Sequence, residues 1–341
     1  MERVNDVMSR YREPVVHAMR EALERPGVEH VRYMRYHLGF EDAEGRAIDA
    51  QGGKLLRPMF CLLCCQAAGG DAGRALPGAV AVELLHNFSL IHDDIEDGSA
   101  ERHGRATLWT LIGVPQAINA GDGLFVLAQR TLLDMAKRGV PPARVLEAAA
   151  LLDDACVLLC EGQYADLHFE SRSRVSLDEY EAMIAGKTAA LLAASAGIGA
   201  IAAGADGGTT HALVECGRML GMAFQIQDDV LGIWGEAAET GKSASDDIRS
   251  RKKSFPVVYA FDHLSGGDLD ELERIYAATA IGDRDAERVM ELLQSVHARA
   301  ASTEAAERWA ARALEAIAGA RLGDQRRDIE ALAAFFVHRR A

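Results

Sequence analysis

Between successive glycine and proline breaks, apolar residues in this chain recur three and four positions apart, and no stretch sustains the two-residue alternation of a half-buried strand. Such a chain can bury its apolar stripes only by packing helix on helix. Breaks at Gly69–Asp71, Gly139–Pro142 and Gly204–Gly208 divide the expected helices. The first runs over residues 3–24. Another opens in Gly52–Pro58, where a proline in the first turn is tolerated, and ends near Ala68. Pro77 is expected to start the next helix and Pro115 the one reaching Arg138. The helix over 142–169 is followed by Ser176-Leu177-Asp178-Glu179, which has the form of a capping box. A helix through Lys187 passes into an alanine-rich segment, Thr209–Ile233 forms another, and amphipathic helices follow Pro256. The prediction is an all-α protein: one domain over residues 1–341, a single large bundle of ten or more helices around a central apolar cavity.

An apolar content of 49% supplies such a core, and a formal net charge of −14 excludes a nucleic-acid partner, because a phosphate backbone requires a basic face. Any phosphate-bearing ligand has to be held locally. No apolar core behind a basic start follows Met1, so no signal peptide is expected. The uncharged run Thr188–Ala205 is rich in Ala and Gly and reads as a buried core helix, not a membrane span. Cys61, Cys64, Cys65, Cys156, Cys160 and Cys216 have no histidine at zinc-site spacing. They read as small core residues of a reduced, cytoplasmic protein.

Packing does not account for Asp93-Asp94-Ile95-Glu96-Asp97, four acids in five residues directly after an apolar helical run. If the helix continues, Asp93 and Asp97 are one turn apart and project from one face, where they repel each other unless a divalent cation sits between them. Hard carboxylate ligands of this kind suit Mg2+, which shares its coordination sphere with water and substrate phosphates. A calcium loop would need an acid in place of Ile95 and a bidentate Glu in place of Gly104, so that reading fails. A second cluster, Gln225-Ile226-Gln227-Asp228-Asp229, ends a later apolar run. Two such acidic helix ends across a cavity would hold a diphosphate through metal ions.

Diphosphate recognition also needs cations. Lys54 and Arg57 lie three apart at an expected helix start, where basic residues oppose the macrodipole and free N–H groups favour an anion. His86 lies two turns before Asp93 on nearly the same face, although a lone helical histidine is more often a satisfied core residue. Arg102, His103 and Arg105 follow the first acidic cluster, and Lys242, Lys252 and Lys253 follow the second. Placed so, they would close over a metal-bound diphosphate.

Taken in order, these segments resemble the all-trans isoprenyl diphosphate synthases, or polyprenyl synthetases, from about residue 52 to 260. Gly52-Gly53-Lys54-Leu55-Leu56-Arg57-Pro58 is similar to the family's GGKxLRP segment, and Asp93–Asp97 to its first DDxxD motif. Gly186-Lys187-Thr188 is similar to its GKT segment, Gln225–Asp229 to the start of its second aspartate-rich motif, and Gly241-Lys242 with Asp247–Lys252 to the lysine-bearing loop beyond. The resemblance implies an isoprenoid-synthase-type fold, three Mg2+ ions with Asp93, Asp97 and Asp228 as direct ligands, and Asp94 and Asp229 in support. It further implies that Lys54, Arg57 and His86 hold the diphosphate of isopentenyl diphosphate, that Arg102, Lys187, Lys242 and Lys252 contact the allylic diphosphate, and that Thr188 and Gln225 set oxygen dipoles near the carbocation. Three positions depart from the pattern: Gly232 replaces the third acid of the second motif, His103 stands where a second Arg is usual, and Ala106 where Pro is common.

The reaction so implied is ionisation of an allylic diphosphate, attack by the isopentenyl double bond and loss of a proton, with no side-chain nucleophile required. A terpene cyclase would use the same metals but has no isopentenyl diphosphate for Lys54, Arg57 and His86 to hold. A silent partner subunit would be expected to lack acids that are all present here. Ser89, one turn before Asp93, is small and leaves room beneath the metals. The resemblance marks Phe88 as the floor that limits elongation, with Phe125 a second candidate. The expected product is geranylgeranyl diphosphate, with farnesyl diphosphate the alternative, and the expected assembly is a homodimer through the helix after Pro115.

Overall fold

The structure, a computed structural model, describes residues 2–24, 28–48, 53–235 and 246–338. The described residues are helical almost throughout, as the sequence predicts, and they form two compact units built from discontinuous stretches of chain.

The first unit comprises Met1–Asp154, Ala194–Val214 and Ala320–Ala331. It contains α1 (Glu2–Ala22), α2 (Glu29–His37), α3 (Leu56–Ala67), α4 (Ala72–Glu96), α5 (Leu108–Ile112) and α6 (Val114–Leu133). The centre of this unit is α4, which packs along α6, α3 and α1. Val80, Val82, Leu84 and Leu85 are all fully buried, so apolar side chains cover the helix on every side, as expected of a core helix. It begins before Pro77, contrary to the sequence reading, because Asp71 caps it by accepting a hydrogen bond from the Gly73 amide at 3.0 Å. Pro77 then lies inside the helix, where it forfeits one backbone bond.

Beyond α4 the expected loop contains a short ribbon, β1 (Glu101–Arg102) paired antiparallel with β2 (Arg105–Ala106). Its turn residues His103 and Gly104 both have positive φ, 51° and 70°, the requirement of a two-residue hairpin. Strands of two residues are too short to show alternation, so the sequence gives no sign of them. Arg105 fastens the ribbon to the end of α2: it stacks on Tyr36 at 4.1 Å and donates to the carbonyls of Tyr36 and Glu41.

The second unit comprises Ala155–Ala193, Glu215–Gly319 and Leu332–Ala341. It takes in the latter parts of α7 (Pro142–Glu170) and α10 (Gly207–Trp234), α8 (Leu177–Ile184), the start of α9 (Ala190–Ala203), and the helices Asp246–Arg249, Phe255–His263, Gly267–Ala277, Asp283–Ser295 and Ala298–Ala316. The capping box forms as expected: Ser176 Oγ accepts from the Glu179 amide at 3.2 Å while Glu179 accepts from the Ser176 amide at 2.9 Å. One core gathers Tyr180, Met222, Ile226 and Phe255, and another Phe261, Leu272, Tyr276 and Val289.

Leu177–Ala203 is long and apolar enough to cross a membrane, but 89% of its apolar window is buried within the protein, which fits a core helix. The cysteines are free thiols, and five are buried as expected; Cys160 is exposed, one turn beyond buried Cys156 on the outer side of α7.

Candidate active site

In the first unit, Glu83, His86, Asn87, Leu90 and Asp94 recur three and four apart along α4 and so share one face. They line a cavity of about 100 Å³ together with His37 from the end of α2 and Arg102, His103 and Arg105 from the ribbon. Arg57, in the first turn of α3, reaches His86, with Nη1 3.2 Å from Nε2. Lys54 lies just before that helix and not in its first turn, because positive φ at Gly53 and Leu55 turns the chain sharply there. Burial and the neighbouring Arg57 hold His86 well below the usual histidine range. Burial and then Arg102 lower His103, and burial with Arg102 and Arg105 brings His37 down to about 3. The pocket therefore carries arginine charge and neutral imidazoles. His37 was not legible as a site residue, since only the tertiary fold brings α2 to α4.

At the end of α4, Asp93 is half-buried and Asp97 exposed, one turn apart as the sequence predicts. Asp94 points the other way into the unit: one oxygen accepts from Arg102 Nε at 2.9 Å, and the other is buried with no partner. Burial raises its pKa against the pull of Arg102. One step back along the helix, the Phe88 ring lies 5.4 Å from Phe125 on α6 and edge-on to His92 at 4.8 Å. Ser89 is buried and donates its hydroxyl to the His86 carbonyl at 2.8 Å.

In the second unit, α8 leads into a π-helical turn, Ala185–Ala189, which carries Lys187 and Thr188. Such turns are frequent at functional sites. A Cβ at Gly162 would lie 2.8 Å from Lys187 Cα, so glycine is what lets α7 approach this turn. Lys187 pairs with Asp166 at 2.5 Å. Thr188 donates to Gln225 at 2.6 Å, and the Gln225 amide donates to Asp229 at 3.0 Å. Asp229 is the hub: it also accepts from the Tyr180 hydroxyl at 2.6 Å, the Phe255 amide at 2.8 Å and Lys252 Nζ at 3.4 Å. Burial raises the Asp229 pKa against Lys252, whereas Lys252, despite the cost of burial, is held well above its ordinary value by Asp247 and Asp229. Asp228, its neighbour, is exposed. Lys253 does not join this cluster as the sequence suggested. It is buried, with Nζ 4.6 Å from the centre of the Tyr276 ring, and burial lowers its pKa to about 8. Lys242 lies outside the described residues.

Among the described residues no three His, Cys, Asp or Glu side chains converge on a metal position. The donor chemistry nevertheless suits Mg2+, which needs one or two carboxylates and takes its other ligands from water and substrate phosphate. The negative C-terminal end of α4 adds to the attraction for a cation beside Asp93 and Asp97.

The polyprenyl synthetase family matches residues 45–294 of this chain. The chain belongs to that family. It is 40% identical over 312 residues to a (2E,6E)-farnesyl diphosphate synthase of Mycobacterium tuberculosis, covering 90% of this chain and 85% of that one. A geranylgeranyl diphosphate synthase of the same organism is 39% identical over 282 residues, covering 82% and 78%. A crystal structure of polyprenyl synthetase from Streptomyces coelicolor superposes with a TM-score of 0.90 at 38% identity, covering 98% of this chain and 99% of that one. The fold is thus of the all-α isoprenyl synthase type, and the chain is a transferase, a short-chain trans-prenyltransferase. Two of the departures in this polyprenyl synthetase sit on the ribbon: His103 in its turn, and Ala106, whose carbonyl accepts from Tyr36 at 2.8 Å. The third, Gly232, lies on α10 beside Asp247, a residue the sequence reading placed only as part of a loop.

Proposed function

We propose that this prenyltransferase condenses isopentenyl diphosphate with an allylic diphosphate and that its principal product is geranylgeranyl diphosphate. The supporting observation is the pocket lined by His86, Arg102 and His103, with Arg57 against His86, in the same unit as the acidic end of α4. A cyclase needs no second anion site there. In this reading Lys54, Arg57, His86 and His103 hold isopentenyl diphosphate, while Arg102, Lys187, Lys242 and Lys252 hold the allylic diphosphate. Asp93, Asp97 and Asp228 bind three Mg2+ ions, supported by Asp94 and Asp229. When bound, Mg2+ neutralises the leaving diphosphate so that the allylic carbon–oxygen bond can ionise. Thr188 commits its proton to Gln225 and so offers lone pairs to the developing carbocation. The apolar helices exclude the water that would quench it.

Phe88, backed by Phe125, is the proposed limit on chain length, and small Ser89 leaves room short of it. The farnesyl alternative rests on the similarity to the mycobacterial farnesyl diphosphate synthase. The family match runs through both compact units, which supports a single functional domain. Val114, Ile118, Val126 and Leu133 on α6 are exposed, an apolar row that supports a homodimer through this helix. The substrate chemistry and free thiols support a soluble, cytoplasmic enzyme.

Incubation with Mg2+, labelled isopentenyl diphosphate and each allylic primer, followed by dephosphorylation and chromatography, tests this reading. A twenty-carbon alcohol is expected. A fifteen-carbon product would favour the farnesyl alternative, and no incorporation with any primer would overturn the synthase reading.

A further inference from the structure

Three imidazoles converge on the small cavity of the first unit: His37 from the end of α2, His86 from α4 and His103 from the turn of the ribbon. His37 and His86 are half-buried and His103 is exposed, so none of them is sealed in the core. All three lie within reach of the Arg102 charge, and His37 and His86 also lie within reach of each other. The orientation of His37 is set by Asn87 on α4. Both hydrogens of the Asn87 amide are committed to Glu83, at 2.8 Å to its carbonyl and 3.1 Å to its carboxyl oxygen. The amide oxygen is left to accept, and it accepts from His37. With one ring nitrogen donating there, the other nitrogen of a neutral His37 carries a lone pair, which repels a phosphate oxygen.

The permanent charges around these rings are already engaged. Arg102 pairs with Asp94 at 2.9 Å, and Arg105 is stacked on Tyr36 and bonded to two backbone carbonyls. Arg57 stands against His86 at 3.2 Å. Glu83 adds a second acid to the lining, and Lys54 lies just before α3. The two acids offset part of the positive charge, whereas a single phosphate group alone carries about two negative charges near neutral pH.

We propose that His37 joins His86 and His103 as a contact of the diphosphate in this cavity, and that these imidazoles bind the anion by taking up protons. The proposal rests on the reading of the cavity as the isopentenyl diphosphate site. A proton on the second nitrogen of His37 turns a lone pair that repels a phosphate oxygen into a donor that binds it. At His86 the same change, on Nε2, ends the hydrogen bond from Arg57 and turns Nη1 toward the phosphate as well. The protons come from solvent, and rings that are neutral before the ligand binds are charged after it, so affinity falls as pH rises. An arginine at position 103 would carry its charge throughout and take up nothing.

Isothermal titration calorimetry of the full chain with isopentenyl diphosphate, repeated at pH 7 in buffers of different ionisation enthalpy, counts the protons. Uptake of about one proton per ligand is expected, with Kd rising by about three-fold to ten-fold from pH 7 to pH 8. His37→Asn keeps a donor for Asn87 but cannot take a charge. It is expected to lower the proton count and to weaken binding by about ten-fold at pH 7, with a smaller loss at pH 8. His103→Asn, at a left-handed position that asparagine tolerates, is the second variant and should lower the count without touching the core. The ligand's own ionisation is common to wild type and variants, so a change in count belongs to the histidine replaced. A count unchanged in both variants would overturn the proton coupling, and an unchanged count and Kd in His37→Asn would remove His37 from the site. No saturable binding by the wild type would show that the reading of the cavity is at fault.

Discussion

Arg57 Nη1 stands 3.2 Å from His86 Nε2, so the imidazole accepts this hydrogen bond and is neutral. His37 and His103 around the same cavity are likewise depressed, His37 to about 3. A histidine whose folded pKa lies below its unfolded value binds its proton in the unfolded chain first. Its stabilising contribution is complete above the ordinary 6.5 and is lost as pH falls from there toward the folded value, about 3 for His37. The slope is about 1.4 kcal/mol per pH unit for each such group. Denaturant midpoints for the wild type and His37→Asn between pH 7 and pH 4 should show a shallower acid loss in the variant, and parallel curves would remove His37 from the account.

How much of this site was legible follows from the range of its contacts. Asp93 with Asp97, or Ser176 with Glu179, interact within one turn of helix, and their spacing in the sequence already states the geometry. The pairing of Lys187 with Asp166 and the contact of Gly232 with Asp247 are made by chain segments that meet only in the tertiary fold. Lys252 and Lys253 make the limit plain. They are adjacent in sequence and both basic, yet one is paired with Asp229 and the other is buried over Tyr276. The start of α4 departs from the sequence expectation for a different reason: a capping aspartate outweighs the proline signal.

Asp228 and Asp229 are expected to behave oppositely despite being neighbours. Asp228 is exposed and Asp93 half-buried, so Asp93→Ala and Asp228→Ala should each reduce turnover by orders of magnitude with little change in Tm. Asp229→Ala would take one partner each from Lys252, Tyr180 and Gln225 and is expected to cost about 3–5 kcal/mol of stability. Circular dichroism melts beside rate measurements separate the two outcomes. Full activity in either metal-site variant, or activity undiminished by chelator, would sink the metal mechanism.

His103 occupies a left-handed turn position on the ribbon, φ 51°, and burial with Arg102 favours its neutral form. A guanidinium there would attract a diphosphate at any pH, whereas the imidazole does so only when protonated. His103→Arg is therefore expected to lower the apparent KM for isopentenyl diphosphate, most clearly above neutral pH. A KM unchanged from pH 6 to pH 9 would mean that His103 does not face the substrate.

Gly162 meets the π-helical turn so closely that an added methyl would press on Lys187 Cα at 2.8 Å and the Met183 carbonyl at 2.8 Å. Both contacts are backbone, which cannot swing aside. Gly162→Ala should cost about 1–3 kcal/mol as overpacking and displace Lys187 and Thr188 with the turn. The kinetic expectation is a fall in kcat larger than Asp166→Ala produces, because the latter loosens Lys187 without moving Thr188. Equal effects would show that only the lysine matters.

The proposed length limit comes down to one ring. Phe88 lies five residues before Asp93, about 140° round an ideal helix, so helix geometry alone does not aim it beneath the metals. Its neighbours show where it goes: its ring centre is 5.4 Å from Phe125 at a 54° tilt and 4.8 Å from His92 at 67°. Aromatic pairs of this kind are worth about 0.5–1.5 kcal/mol beyond their buried area, so the ring is held in place. Only half-buried, it can lose its bulk without the core collapsing around it. Phe88→Ala should leave Phe125 as the next obstacle, and Phe88→Ala with Phe125→Ala should remove both. The expected products are longer than the wild type's in the single variant and longer again in the double, read by chromatography after dephosphorylation. An unchanged distribution in an active double variant would make both rings ordinary packing and leave chain length to be set elsewhere.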